Sequence, residues 1–155
     1  MKKLLFTFLA LAIVCCTTLC IPVNAAELSA KTDTYIEVLE NGDYIRTYIT
    51  YDETNDRSAT KSGSKTAEYF NSNNEVMWSI TVYGTFTYNG TTSSCTSASR
   101  SAAAYGSDWS IKSSSASKSG NCATATATAT KKNFIGSQDY TKSVNLYCSP
   151  YGILS

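Results

Sequence analysis

Residues 76–88 carry the most restrictive pattern in the chain. The even positions from Val76 to Tyr88 hold large apolar or aromatic side chains, interrupted once by Gly84, and most of the positions between hold serine or threonine. A period of two places the apolar residues on one face of a β-strand and the polar residues on the other. After residue 26, no stretch repeats apolar residues at helical spacing over three turns. The sequence therefore predicts an all-β fold.

The same alternation predicts a first hairpin of residues 34–39 and 44–51. Its turn would be Asn41–Gly42, because this pair readily adopts the positive φ angles of a two-residue type I′ turn. That register pairs Val38 with Ile45 on a buried face. The opposite face would then offer an aromatic surface to a sugar or a protein partner, formed by Tyr35, Tyr44 and Tyr48.

The rest of the chain also divides into strands and turns. Residues 52–64 are expected to form a loop, and further strands are expected at residues 65–70, 76–88, 91–101, 109–116, 122–131 and 140–148. Residues 123–130 alternate alanine with threonine, which predicts a strand whose alanines face inward where two sheets approach closely. Low-complexity disorder is the alternative for that run. These strands predict a single β-sandwich.

The N-terminus has the three parts of a secretory signal peptide. Two lysines precede a long apolar run, and small residues follow the proline after that run. Signal peptidase requires small side chains before the cut, which predicts cleavage between Ala25 and Ala26. We therefore assign residues 1–25 to a signal peptide and residues 26–155 to one secreted domain, released outside the cell or loosely associated with its surface.

The N-terminal segment allows two other interpretations. Residues 4–23 are long enough to cross a hydrocarbon core of ~30 Å as an uncleaved anchor, but the proline and the small residues after it favour cleavage. Three early cysteines suggest a lipoprotein, but the residues before Cys15, Cys16 and Cys20 fit that motif poorly. The mature domain is therefore expected to have no membrane span.

Removing the signal peptide changes the charge balance. It takes two of the 13 basic residues and leaves 11 against 12 acidic ones, a net charge of −1. This balance indicates neither nucleic acid nor an anionic membrane as a partner. Residues 26–80 hold ten carboxylates and five basic groups, whereas residues 81–155 hold two and six. We interpret this as attraction between two halves of one fold, with a dimer contact as the alternative.

Three cysteines remain after cleavage, in a compartment where disulfides persist. A two-residue turn at Asn89–Gly90 would place Cys95 opposite Gly84, facing inward, and Cys148 alternates with apolar residues. Cys122 alternates with threonines and should face solvent. The sequence therefore predicts a Cys95–Cys148 disulfide and leaves Cys122 as a free thiol that would be able to join two chains.

The order Cys95, Trp109, Cys148 resembles the cysteine, tryptophan, cysteine core of immunoglobulin-like sandwiches. The resemblance covers residues 78–148 and implies an immunoglobulin-like β-sandwich. In style, the chain is also similar to small secreted proteins of Gram-positive bacteria, by its Met-Lys-Lys start and its strands rich in serine and threonine. That second resemblance implies no activity.

The chain contains no histidine, which removes the commonest general base near pH 7 and the usual serine triads. A serine activated by lysine needs no histidine, and the spacing Ser-x-x-Lys occurs three times, at Ser58, Ser62 and Ser115. Three matches in a polar chain rich in both residues are expected by chance, and the partner motifs of the serine β-lactamase group are missing from the sequence. No catalytic residue is assigned.

Asp52, Thr54 and Asp56 have the spacing of the first ligands of an EF-hand calcium loop. The position that requires glycine holds Arg57, and the position that requires glutamate holds Gly63. A solvated loop is therefore preferred to an irregular calcium site, and no cofactor is expected.

Together these patterns favour a secreted, non-enzymatic β-sandwich that acts by binding a carbohydrate or a protein at a cell surface. A bacteriocin-like or membrane-active toxin is the first alternative, because a small exported domain with a disulfide would also serve that role. A hydrolase that uses carboxylates alone is the second alternative.

Overall fold

The computed structural model describes residues 29–52 and 59–155, which form eight antiparallel β-strands. Their bounds are β1 Ser29–Val38, β2 Tyr44–Asp52, β3 Thr60–Phe70, β4 Val76–Tyr88, β5 Ser93–Ala104, β6 Trp109–Ser119, β7 Cys122–Asn133 and β8 Gly136–Tyr147. Strands β1 to β5 form one sheet and β6 to β8 form another, each in chain order. The all-β sandwich predicted from the sequence is confirmed. No helix that could span a bilayer occurs among the described residues.

Several sequence predictions fall on other parts of the chain. The signal peptide, with its cleavage site at Ala25 and Ala26, lies outside the described residues, and so do residues 53–58 of the candidate calcium loop. Within the described part, residues 60–64 belong to β3 and not to the expected loop. They pair along their whole length with β4, from Thr60 opposite Thr87 to Ser64 opposite Tyr83.

The order of the strands corrects the immunoglobulin-like expectation. An immunoglobulin sandwich brings non-consecutive strands together, whereas here every hydrogen-bonded pair joins two consecutive strands. Short turns between antiparallel strands favour this direct pairing. Trp109 also lies away from the cysteines, because it pairs with Lys131 near one end of β7 while Cys122 begins the other end.

The core lies between the two sheets and is thinnest over β7. The large sheet contributes bulky side chains such as Trp78, Ile80 and Phe86, all buried. The alanines of β7, from Ala123 to Ala129, are 0–1 % exposed. A Cβ added at Gly84 would lie 3.1 Å from the Cβ of Ala123. The prediction of an inward alanine stripe beneath a close approach of the sheets is confirmed.

The first hairpin differs from its predicted register by one residue. The N–H of Leu39 donates to the Asp43 carbonyl (2.8 Å), and Gly42 has a φ of 82°. The longer turn makes Val38 pair with Tyr44 instead of Ile45. A one-residue slip exchanges the two faces of a strand. Val38, expected in the core, is therefore 74 % exposed, together with Ile36.

The turn at Asn89 is also longer than predicted. The side-chain oxygen of Asn89 accepts from the N–H groups of Thr91 and Thr92, at 3.0 and 2.8 Å, which stabilises a four-residue loop. Cys95 consequently pairs with Phe86 and not with Gly84. The register moves by two positions, so the predicted inward direction of Cys95 is retained, and the residue is buried.

The segment after β8 folds back onto the end of the core. Leu154 forms a bridge with Cys148, and its buried side chain lies against Gly63, where any larger residue would collide with it. The N–H of Gly90 donates to the Pro150 carbonyl at 2.9 Å. This segment closes the sandwich at the end that holds Cys95 and Cys148.

Candidate binding surfaces

The three tyrosines of the expected aromatic surface do not share a face. Tyr35 pairs with Thr47 of β2 and therefore lies on the same side of the sheet as Thr47. Tyr44 and Tyr48 are separated from Thr47 by an odd number of positions along β2, so they point to the opposite side. This is a further consequence of the one-residue slip in the first hairpin. The predicted surface of Tyr35, Tyr44 and Tyr48 is therefore wrong as a single platform.

Tyr44 and Tyr48 belong to a self-contained cluster on the outer face of the large sheet. The ring of Tyr44 stacks on Phe70 with centroids 4.7 Å apart. The Arg46 guanidinium lies 4.7 Å from the same Phe70 ring and 2.6 Å from the Glu68 carboxylate. Tyr48 donates to Glu68 at 3.1 Å, and burial together with that carboxylate raises the pKa of Tyr48. These contacts occupy the side chains with one another and leave little for a ligand.

A cleft with more varied chemistry opens at the end of the sandwich where β3 turns into β4 and β5 crosses to β6. Its volume is about 440 Å³. It is lined by an aromatic ring, two carboxylates, an amide and an ammonium group, from Tyr105, Glu75, Asp108, Asn71 and Lys131. Such a mixture of a ring and convergent polar groups is typical of sites for small polar ligands. We call it the end cleft.

The wall of the end cleft formed by the β3–β4 turn is set by Asn71. Its side-chain oxygen accepts from the N–H groups of Asn73 and Glu75, at 3.0 and 2.9 Å, and its amide donates to the Glu75 carboxylate at 2.8 Å. Asn74 completes the turn with a φ of 64°, which asparagine tolerates better than most residues. The turn thus fixes the direction of one of the two carboxylates.

The floor of the end cleft is Trp109, the first residue of β6. Its ring packs against Tyr69 and Tyr140, with centroids 5.3 and 5.0 Å away, and the Lys131 ammonium lies 5.6 Å from it. Its indole nitrogen is buried and has no hydrogen-bond partner among the described residues. Buried donors without a partner are uncommon. Gly106 leaves room for this ring, because a Cβ there would lie 2.6 Å from it.

Tyr69 connects the end cleft to the first hairpin. Its hydroxyl donates to the Asp43 carboxylate at 2.5 Å, and Asp43 also accepts from the N–H of Ser72 at 3.0 Å. Burial, followed by this hydrogen bond, raises the pKa of Tyr69. The two loops beside the cleft are therefore tied together through one buried carboxylate.

The β7–β8 turn projects from the same end of the molecule. Asn133 and Gly136 form the last pair of the ladder and leave Phe134 and Ile135 as the two turn residues. Phe134 is 107 % and Ile135 is 95 % exposed. The sequence predictions left residues 132–139 unassigned and missed this turn. The available signal was an adjacent Phe-Ile pair between asparagine and glycine, directly after two lysines.

A shallower groove runs along the outer face of the large sheet. It has a volume of about 310 Å³ and is lined mainly by hydroxyl groups, with the ring of Tyr83 beside it. Its floor is the directly opposed pair Gly63 and Gly84. The hydroxyls Ser62 and Thr85 already bond to each other at 3.0 Å. The groove lacks the charged groups that distinguish the end cleft.

The cysteines lie at the opposite end of the sandwich. Cys95 and Cys148 are buried, Cys122 is partly exposed, and all three are free thiols in the structure. The N–H of Cys95 donates to the Gly120 carbonyl (2.8 Å), and that of Cys148 donates to the Asn121 carbonyl (3.0 Å). The predicted inward directions of Cys95 and Cys148 are confirmed. The disulfide between them and the dimer through Cys122 stay predictions.

No group of three or more potential metal ligands is found among residues 29–52 and 59–155. Comparison of the chain with protein-family models, with curated proteins and with solved structures gave no match.

Proposed function

We propose that this chain is an exported, non-enzymatic protein that binds a saccharide of a cell surface in the end cleft. The observation that carries the proposal is the combination of Tyr105, Glu75, Asp108 and Lys131 around one cavity of about 440 Å³. Export rests on the signal-peptide pattern of residues 1–25.

The chemistry of the end cleft suits a sugar ring better than an apolar ligand. Carboxylates accept hydrogen bonds from sugar hydroxyls, and ammonium and amide groups donate to them. The exposed ring of Tyr105 gives an apolar face for the C–H side of a sugar, while its hydroxyl lies 3.2 Å from that of Ser79, which orients the ring.

The experiment compares two exposed tyrosines at opposite ends of the molecule. Purified protein is titrated with soluble fragments of bacterial wall polysaccharides, and calorimetry measures the affinity. Tyr105→Ala should weaken binding about tenfold, the equivalent of ~1.4 kcal/mol, whereas Tyr151→Ala should leave it unchanged. Failure of the native protein to bind any fragment, or equal affinities for native protein and Tyr105→Ala, would contradict the proposal.

The same cleft favours a hydrolase that uses carboxylates alone as a second candidate. Glu75 and Asp108 both line it, and glycoside hydrolysis requires two carboxylates that flank one bond. Incubation of the native protein with polysaccharide fragments and detection of new reducing ends separates the two functions. If the native protein releases new reducing ends and both Glu75→Gln and Asp108→Asn abolish this release, the function is hydrolysis and not binding alone.

The bacteriocin-like or membrane-active toxin remains the rival from another class. A killing assay with purified protein on Gram-positive indicator strains distinguishes it from the binding protein. Zones of growth inhibition around the applied protein would favour the toxin. Undisturbed growth of the indicator strain up to the applied protein would favour the binding protein.

A further inference from the structure

The β7–β8 turn places two large apolar residues where a turn normally holds polar or glycine residues. A two-residue hairpin turn favours Asn-Gly because its common forms need positive φ angles. Phe134 and Ile135 keep negative φ angles, since Asn74 is the one described residue other than glycine with a positive φ. The local sequence therefore works against the tightest turn at this position. Local choices that conflict with folding are expected at functional sites.

The side chains of this turn have no partner surface on the described molecule. Phe134 and Ile135 are as exposed as in an extended peptide, and the contact that orders the turn is a hydrogen bond of 3.3 Å from the Ile135 N–H to the Asn133 side chain. Single exposed apolar residues are normal, but an adjacent pair at a projecting tip is a signal for an interaction. A convex tip fits a deformable medium better than it fits a flat surface.

Two positive charges lie at the base of the same tip. Lys131 and Lys132 directly precede Asn133 and face the neutral residues Gln138 and Ser137 across the ladder. Neither lysine forms an ion pair with a carboxylate of residues 29–52 or 59–155. By contrast, Lys112 and Lys142 on the same sheet pair with Asp139 and Glu37. The two ammonium groups at the base of the tip are thus not paired with a carboxylate of the described residues.

We propose that the β7–β8 tip docks this protein on anionic lipid bilayers. Phe134 and Ile135 would enter the boundary between headgroups and acyl chains, and Lys131 and Lys132 would remain at the level of the anionic headgroups. Their long apolar stems allow the ammonium groups to stay in that layer. The net charge of the chain did not indicate an anionic membrane as a partner. The local pair of lysines at the tip leads us to the opposite expectation.

The docking proposal shares Lys131 with the end cleft, but it concerns a different ligand and agrees with the saccharide proposal in geometry. The N–H of Lys132 donates to the Asp108 carbonyl at 2.8 Å, which links the base of the tip directly to the wall of the end cleft. A molecule docked by the tip would therefore turn the end cleft towards the cell surface. Vesicles of pure lipid contain no saccharide, so the two proposals can fail separately.

The test measures co-sedimentation of the purified protein with vesicles at low salt. One set of vesicles contains phosphatidylcholine alone, and the other contains phosphatidylcholine mixed with phosphatidylglycerol. The native protein should bind the mixed vesicles at least tenfold more tightly than the neutral ones. The double variant Phe134→Ser/Ile135→Ser should lose at least tenfold in affinity for the mixed vesicles, because it keeps the charges but removes the apolar pair.

Two further variants separate the contributions. Lys131→Gln/Lys132→Gln should bind the two kinds of vesicle equally weakly. The matched control Tyr151→Ser/Ile153→Ser removes an exposed apolar pair at the other end of the molecule and should bind as the native protein does. Circular dichroism confirms that each variant is folded; all four positions of the tip are exposed or half-exposed, so folding is expected to survive.

Three results would overturn the proposal. They are failure of the native protein to bind the mixed vesicles, native-like binding by Phe134→Ser/Ile135→Ser, and tip-dependent binding to cell envelopes but to no protein-free vesicle. The last would assign the tip to a protein partner. A tryptophan introduced by Phe134→Trp gives a second readout, because its emission should shift to shorter wavelength when the mixed vesicles are added.

Discussion

Strand β7 lies between two turns that differ in their contacts with the rest of the molecule. At its start, Gly120 and Asn121 form a polar turn whose carbonyls accept from Cys95 and Cys148, while the Asn121 amide donates to the Cys148 carbonyl at 2.9 Å. At its end, Phe134 and Ile135 form an apolar turn that projects into solvent. We call these the braced turn and the bare turn.

This difference in contacts indicates which end of the sandwich stabilises the fold and which end is available for binding. The braced turn joins both sheets and the C-terminal segment in one hydrogen-bonded corner, so changes there should act on stability. The bare turn touches little, so changes there should act on binding with little effect on the free energy of unfolding. The following predictions test that division, beginning with the largest effect.

The largest effect is expected from the disulfide at the braced turn. If Cys95 and Cys148 are joined after export, the bond closes a loop that stabilises by about 4 kcal/mol in the chain-entropy model. Urea unfolding of oxidised and reduced protein should show this difference, and mass spectrometry of a non-reduced digest should identify the Cys95–Cys148 peptide. A Cys95–Cys122 peptide would contradict the assignment.

The next largest effect compares one apolar residue from each end. Leu154→Ala should lower the free energy of unfolding by about 2–4 kcal/mol, because it leaves a cavity beside Gly63. Ile135→Ala should change it by less than about 0.5 kcal/mol. Chemical unfolding monitored by tryptophan fluorescence gives both values. Equal losses would show that the bare turn also supports the fold.

Alkaline pH should lower the stability of the reduced protein through the thiols at its braced end. Burial raises the pKa of the Cys95 and Cys148 thiols above the ordinary value of 9.0. The folded protein therefore keeps these protons longer than the unfolded chain, and the resulting stability is complete below about pH 9 and is lost as the pH rises through the folded values. Thermal unfolding between pH 7 and pH 10 measures it.

The oxidised protein is the control for that pH dependence. A Cys95–Cys148 disulfide has no thiol proton to lose, so the oxidised protein should not show the decline in stability that these two thiols cause. The same decline in both forms would show that the two thiols are not its cause.

The smallest effect on stability is expected at the bare turn. Phe134→Asn/Ile135→Gly supplies the residues that a tight hairpin favours, and it should raise the free energy of unfolding by about 0.5 kcal/mol. The same variant should lose binding to anionic vesicles. A variant that becomes both less stable and unable to bind would indicate that the apolar pair has a structural role instead.

The sequence predicted the architecture well wherever alternation was strong. Strand β4 has the predicted bounds, and the inward alanines of β7 were predicted from their alternation with threonine, because alternation directly reports which face a side chain takes. The inward directions of Cys95 and Cys148 followed from the same rule.

The failures of strand register arose at turns. An Asn-Gly pair was assumed to form a two-residue loop, but Gly42 ends a longer turn closed by Leu39 and Asp43. The extra residue reverses β1, which exposed Val38 and separated Tyr35 from Tyr44. Turn length depends on side-chain hydrogen bonds, such as those of Asn89, that leave no periodic signal in a sequence.

The candidate sites could be predicted least. The residues of the end cleft come from two loops and three strands, and only the folded arrangement brings Asn71 and Glu75 close to Asp108 and Lys131. The bare turn was visible as a Phe-Ile pair, but without the register of β7 and β8 it could equally have been part of a buried strand.

The chain-order arrangement of the strands also bears on how fast this protein reaches its native state. Each hydrogen-bonded pair joins strands that are consecutive in the chain, so ladder formation closes loops between sequence neighbours in succession. Folding rates fall as contacting residues become more distant in sequence. We therefore expect this chain to fold faster than Greek-key sandwiches of similar length, with the docking of β7 against β4 as the step that joins the two sheets.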